Sequence, residues 1–150
     1  MTAQAAPDAD LWPRWEAHDP GSTRTIDHAR WASFLDEYLV TGHPSGVNRV
    51  RYDEVSSSDA DSLDAYVERL QRVSVSRLNR DEQFAFWVNL YNAYTVKLIL
   101  DYYPVDSIRD IDLSGLFTRG PWDKKLMEVE GEELSLNDIE HRILRPIWQD

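Results

Sequence analysis

The adjacent pair Glu140-His141 is the first place in this sequence where side chains could do acid–base chemistry. A histidine changes charge near neutral pH, and a carboxylate beside it can orient the ring. Ser135 with Asp138 three residues on reads as a capping box, and Leu134 with Ile139 as a hydrophobic staple. Both residues therefore belong in the second turn of a helix, where the dipole effect is already weak. Neighbours on an α-helix point about 100° apart, so Glu140 is not expected to orient His141 as a triad acid would. His141 then either takes a partner from another element and is catalytic or binding, or is a hydrogen-bonded structural residue linking helix to hairpin.

Two amides form the second constellation. The stretch NRDEQFAFWVNLYNAYTVKLILDYY, residues 79–103, is the longest and most apolar run in the chain. Asn79 is placed to cap a helix, with Glu82 reaching back to it, and Pro104 follows the last residue. Apolar groups fall on nearly every side of that helix, which marks it as buried, and at ~1.5 Å per residue it spans about 36 Å. Ala85, Asn89, Asn92, Ala93 and Val96 share one face. Small residues admit another backbone, and a buried amide needs a hydrogen-bond partner. Asn89 and Asn92 either tie down a loop or strand edge, or orient a catalytic or binding group.

Trp122, Lys124 and Lys125 follow Gly120-Pro121. A ring beside a basic pair can shape a pocket for an anionic ligand. In the alternative, Trp122 closes the edge of the core and the lysines are solvated. His18, His28, His43 and His141 are widely separated and there is no cysteine, so no metal site and no thiol chemistry is expected from this chain. No phosphate loop, dinucleotide fingerprint or nucleophile elbow occurs, and no cofactor is expected.

The elements that position these groups follow from pattern and length. A chain of 150 residues, 42% hydrophobic with six Trp, is large enough for one core. Its net charge of −11 argues against nucleic acid and against anionic membrane surfaces. The uncharged run 83–96 is shorter than the ~20 residues a transmembrane helix needs. Residues 1–24 read as irregular, with Leu11, Trp12 and Trp15 docking them to the surface. Trp31, Phe34, Leu35, Tyr38 and Leu39 recur at helical spacing and predict a helix over 27–41, capped by Asp27 and ended by Gly42. Val47, Val50 and Tyr52 predict a short extended segment. Leu63, Tyr66, Val67 and Leu70 are the buried stripe of a second helix, from about Ser56 to Val73. After the central helix come a short amphipathic turn at 105–111, a loop to Gly120, a β-hairpin turning at Glu130-Gly131, and the last helix, ended by Pro146. The fold class is α+β, mainly helical: a buried central helix surrounded by amphipathic helices, with one small β-hairpin.

The motifs FW-x-N-x-YNA, YPV-x-SIRDI, PWDKK and LSL-x-DIEH-x-ILR are long and specific. Together they make residues 25–150 resemble the family called domain of unknown function 547. In that family a strand with R-I-H-F-A-type residues and then a C-A-S-x-x-C-P motif follow the segment that ILRPIWQD resembles. The resemblance therefore implies that 25–150 is a partial domain, either a fragment of the family fold or one whose remaining part lies on a second chain. It also implies that an absent strand packs on the small-residue face around Asn89. Members of the family are usually exported or membrane-associated in bacteria. That agrees with reading Ala3-Gln4-Ala5 as a signal-peptide remnant and places the protein in the periplasm or otherwise outside, a cytoplasmic location being the alternative.

The family's biochemical function is not established, and two expectations stand. In one, Asn89, Asn92, Glu140 and His141 belong to a hydrolase or acyl-transfer-like site that the family's C-terminal segment completes with His and Cys. In the other, the chain is a non-catalytic ligand-binding or protein-interaction module, with the aromatic groups and Trp122, Lys124 and Lys125 as its surface. The partner is a small molecule or a peptide, or the family's own C-terminal segment.

Overall fold

The structure is a computed structural model that describes residues 8–46, 48–104 and 121–148. The expected turn at 105–111, the loop to Gly120, Val47 and the signal-like residues Ala3 to Ala5 lie outside the described residues.

The element order is α1 (Ala29–Tyr38), β1 (Leu39–Val40), β2 (Arg49–Val50), α2 (Ser57–Leu70), α3 (Arg80–Asp101), β3 (Met127–Val129), β4 (Glu132–Leu134), and a π-helical stretch, Asp138–Leu144, that runs directly into α4 (Arg145–Ile147). The architecture is mainly helical α+β, as the sequence predicts. The second helix lies against both the first and the third. Trp31, Phe34 and Tyr38 of α1, Leu63, Tyr66, Val67 and Leu70 of α2, and Phe86, Trp87 and Leu90 of α3 close one core with Val129, Leu134, Ile139 and Ile143.

Local signals place α2 and α3 well. Ser56 Oγ accepts from Asp59 N at 3.1 Å, and Asn79 Oδ1 accepts from Glu82 N at 2.9 Å. Glu82 does not reach back to the cap. Its carboxylate instead accepts the Ile26 amide at 3.2 Å and holds the incoming chain. The first helix ends earlier than expected, because Leu39 and Val40 leave it to pair antiparallel with Val50 and Arg49. Among the described residues there are thus two small two-stranded sheets rather than one hairpin. The second, β3–β4, turns through Glu130 (φ 51°) and Gly131 (φ 81°), the left-handed pair that a two-residue turn between twisted strands demands. Glu130 is held there by Ser76, whose hydroxyl donates to its carboxylate at 2.6 Å, and by Arg14, which donates to its carbonyl at 2.9 Å.

The described part of the segment before α1 is docked at several points. Trp15 is buried edge-on against Trp87, with ring centroids 5.2 Å apart. Gln83, buried in α3, donates to both Ala17 O and Val75 O at 2.9 Å.

The capping box predicted for the last helix is present. Asp138 N donates to Ser135 Oγ at 3.0 Å and Ser135 N to Asp138 Oδ2 at 2.9 Å. Leu134, Leu136, Ile139 and Ile143 are fully buried beneath it. Two expectations for this helix are corrected. Its backbone widens to π geometry over Asp138–Leu144, so that Arg145 N donates to Glu140 O five residues back. Pro146 lies inside the helix instead of ending it. The two are linked. A proline has no N–H to offer the Arg142 carbonyl one turn back. Trp12 N takes that carbonyl at 3.0 Å, and Asp10 N takes the His141 carbonyl at 2.9 Å.

Candidate functional site

The central helix is not buried all round. Gln83, Phe86, Trp87, Leu90, Ala93, Tyr94, Val96 and Leu98 face the core. Asp81, Phe84 and Asn92 are exposed, and Ala85, Val88 and Asn89 are half-buried. The open face meets the last helix in a valley. Phe84 lies 5.6 Å from the Trp148 ring at one end, and Tyr91 Oη is 3.3 Å from Glu140 Oε2 at the other. The two helices therefore run antiparallel across it. Between those ends a groove of about 150 Å³ is lined by Val88, Tyr91, Asn92, Glu140 and Leu144.

Behind the groove stands His141, with 7% of its surface exposed. Its Nδ1 lies 2.8 Å from Arg145 Nη1. A guanidinium can only donate, so Nδ1 is the accepting nitrogen and the ring proton sits on Nε2. That Nε2 is 3.3 Å from Glu140 Oε2. Glu140 thus does contact its chain neighbour, against expectation. The i→i+5 coil turns less per residue than an α-helix, and two adjacent long side chains can meet. Tyr91 completes the row. Burial, together with the Glu140 charge and the hydrogen bond to it, raises the Tyr91 phenol well above its ordinary value. The phenol stays protonated and donates. The result is a chain of donors, Tyr91 and His141 both toward Glu140, with Arg145 fixing the tautomer.

Asn92 is on the rim of the groove. Asn89 is half-buried beside it, and among the described residues neither amide makes a side-chain hydrogen bond, so neither ties down a loop or strand edge there. Lys125 is an ion-pair partner of Asp138, and its ammonium stands 5.7 Å over the Trp12 ring. Lys124 is exposed, while Trp122 packs half-buried against the core and accepts Asn137 N on its carbonyl at 3.0 Å. These three do not line the groove. Sequence reasoning missed Phe84, Val88, Tyr91, Leu144, Arg145 and Trp148. The spacing of Phe84, Val88, Tyr91 and Asn92 at i, i+4, i+7 and i+8 marks one helix face and was the available signal.

A second, more polar cleft of about 410 Å³ lies between α1 and α2, with Arg30, Glu37 and Asp59 at its edges. None of the expected site residues reaches it. Among the described residues no cluster of His, Cys, Asp and Glu is placed to hold a metal, and no helix is long and apolar enough to cross a membrane.

A family model described as "Protein of unknown function, DUF547" matches residues 75–149. Every residue of the groove lies within that match, and the α1–α2 cleft lies outside it. No curated protein and no solved structure matches the chain.

Proposed function

The chain belongs to the DUF547 family of proteins of unknown function, and from that premise we propose that it is a non-catalytic recognition module. Its groove between α3 and the last helix takes an apolar side chain of a peptide partner. The observation that supports this is the state of His141. Both ring nitrogens are already engaged, one by Arg145 and one by Glu140. A general base needs a free lone pair within reach of the proton it abstracts. The Nδ1 lone pair points at a guanidinium instead. The Tyr91 hydroxyl is held protonated, and this chain has no thiol.

The size of the groove points the same way. A volume of about 150 Å³ is some five waters' share of liquid at ~30 Å³ each. That accommodates one branched aliphatic side chain, and lies below the ~300–1,000 Å³ typical of small-molecule and cofactor sites. The competing reading is an acyl-transfer-like site in which Asn89, Asn92, Glu140 and His141 are completed by a further segment of the family fold. It draws on the same cluster.

Selection of peptides from a display library on the wild-type chain and on Val88→Asp separates these. The recognition reading expects enriched sequences that bind the wild type at least tenfold more tightly than the variant, with the folded spectrum of the variant unchanged. Equal binding to both overturns it. Turnover in a broad substrate panel that His141→Ala abolishes would transfer the site to the enzymatic reading.

A further inference from the structure

The groove has a chemical polarity that selects its occupant. We infer that the peptide carries a basic residue next to its apolar anchor, and that the cation rests on Glu140. This rests on the recognition reading above and goes beyond it. The Glu140 side chain is 45% exposed at the groove rim. Among the described residues its polar contacts are the Tyr91 hydroxyl and the His141 ring, both neutral donors in this arrangement. No Lys or Arg among the described residues comes within ion-pair distance of it. Asp138, two residues earlier, differs in having both Lys125 and Arg142. A half-buried carboxylate served only by neutral donors has no cation beside it at the edge of an apolar surface. A cation from outside gains there a short, partly desolvated contact, worth more than a fully solvated pair.

The whole-chain charge narrows the partner further. At −11 the chain repels a second copy of itself, nucleic acid and anionic membrane surfaces, and attracts basic segments. The valley also sets a length. Phe84 and Asn92 are eight residues apart on α3, which is about 12 Å of axis at ~1.5 Å per residue. About four residues of extended peptide span that distance at ~3.3 Å each. Such a peptide lays one apolar residue against Phe84 and Trp148, a second between Val88 and Leu144, and its basic residue on Glu140. Asn92, exposed and without a side-chain partner among the described residues, offers both a donor and an acceptor to the peptide backbone.

The test uses three capped peptides that share two apolar residues in alternate positions and end in Lys, Gln or Glu. Each is titrated into the full chain and followed by calorimetry and by amide NMR shifts of α3. The expected result is that the Lys peptide binds at least tenfold more tightly than either other, and shifts Val88 and Asn92. Glu140→Gln, which keeps the size and the Tyr91 contact, removes that preference, and raising the salt weakens only the Lys peptide. If all three bind alike and Val88→Asp still abolishes binding, the groove stands and the cation site is overturned. If none binds, the groove reading itself fails and takes this inference with it.

Discussion

The backbone amide of Trp12 donates to the carbonyl of Arg142 at 3.0 Å, in the place that Pro146 leaves empty. A helix carbonyl with no intrahelical donor must find another partner. Here the partner comes from the opposite end of the described chain. The same contact brings the Trp12 ring under the Arg142 guanidinium, 4.6 Å from its centroid, and against Trp15 at 5.6 Å. The N-terminal segment is therefore part of the fold that holds the groove wall.

It follows that the amides of Asp10 and Trp12 are protected from hydrogen exchange although they lie outside any regular element. Trp12→Ala lowers stability by about 2 kcal/mol, less than the ~3–5 kcal/mol of a fully buried ring. Exchange at unprotected-chain rates for both amides would show that the segment is not docked.

Gln83 is a second junction. Its amide nitrogen bridges two carbonyls, and its oxygen accepts from Arg80 Nη1 at 3.0 Å. Gln83→Leu keeps the volume and strands the buried Val75 carbonyl, while the Ala17 carbonyl lies on an exposed residue and can turn to water, so it costs about 1–3 kcal/mol in urea unfolding. Asn89→Ala, with no such bonds, changes stability by about 0.5 kcal/mol or less.

This contrast shows what the sequence made legible. The caps at Ser56 and Asn79, the Ser135–Asp138 box and the turn at Glu130-Gly131 are local, and each was read from a few neighbouring residues. Glu82 accepting Ile26, Trp12 under Arg142 and Gln83 spanning two loops are contacts between distant segments. Nothing in the local pattern distinguishes Gln83 from Asn89. Periodicity also overstated the burial of α3, since apolar residues on every side do not say which side the last helix fails to cover, and Phe84 stays 47% exposed. The π widening was invisible because it arises from a long-range exchange of carbonyl partners around Pro146.

Asp138 makes the fold sensitive to acid. Burial alone would raise its carboxyl, but the Lys125 ammonium and the Ser135 amide and hydroxyl outweigh burial and hold it below its ordinary value. A carboxyl depressed in the fold contributes fully above its unfolded value, about 4, and that contribution is lost as pH falls through the lower folded value. Urea midpoints measured from pH 6 to pH 2 should fall over that interval, and less steeply in Asp138→Asn. Identical slopes would remove Asp138 from the account.

His28 acts in a higher window. Its Nδ1 lies 2.5 Å from the hydroxyl of buried Tyr66, and its Nε2 is buried without a hydrogen-bond partner among the described residues. Burial lowers its pKa, with Glu82 and Asp27 opposing and Arg69 assisting. The unfolded chain therefore takes up this proton first, so stability is complete above about pH 6.5 and declines below it until the folded ring also protonates. An NMR titration places the His28 midpoint below about 6.5; a midpoint above that value contradicts the arrangement.

The ring nitrogens of His141 report directly on the arrangement at the groove. Nitrogen-15 NMR of the imidazole, recorded near neutral pH, assigns the proton to one nitrogen or the other. A neutral ring protonated at Nε2, with Nδ1 unprotonated and coupled to the Arg145 guanidinium, is the predicted result. A ring protonated at Nδ1, with the Nε2 lone pair open toward the groove, would contradict it and return His141 to the role of a base.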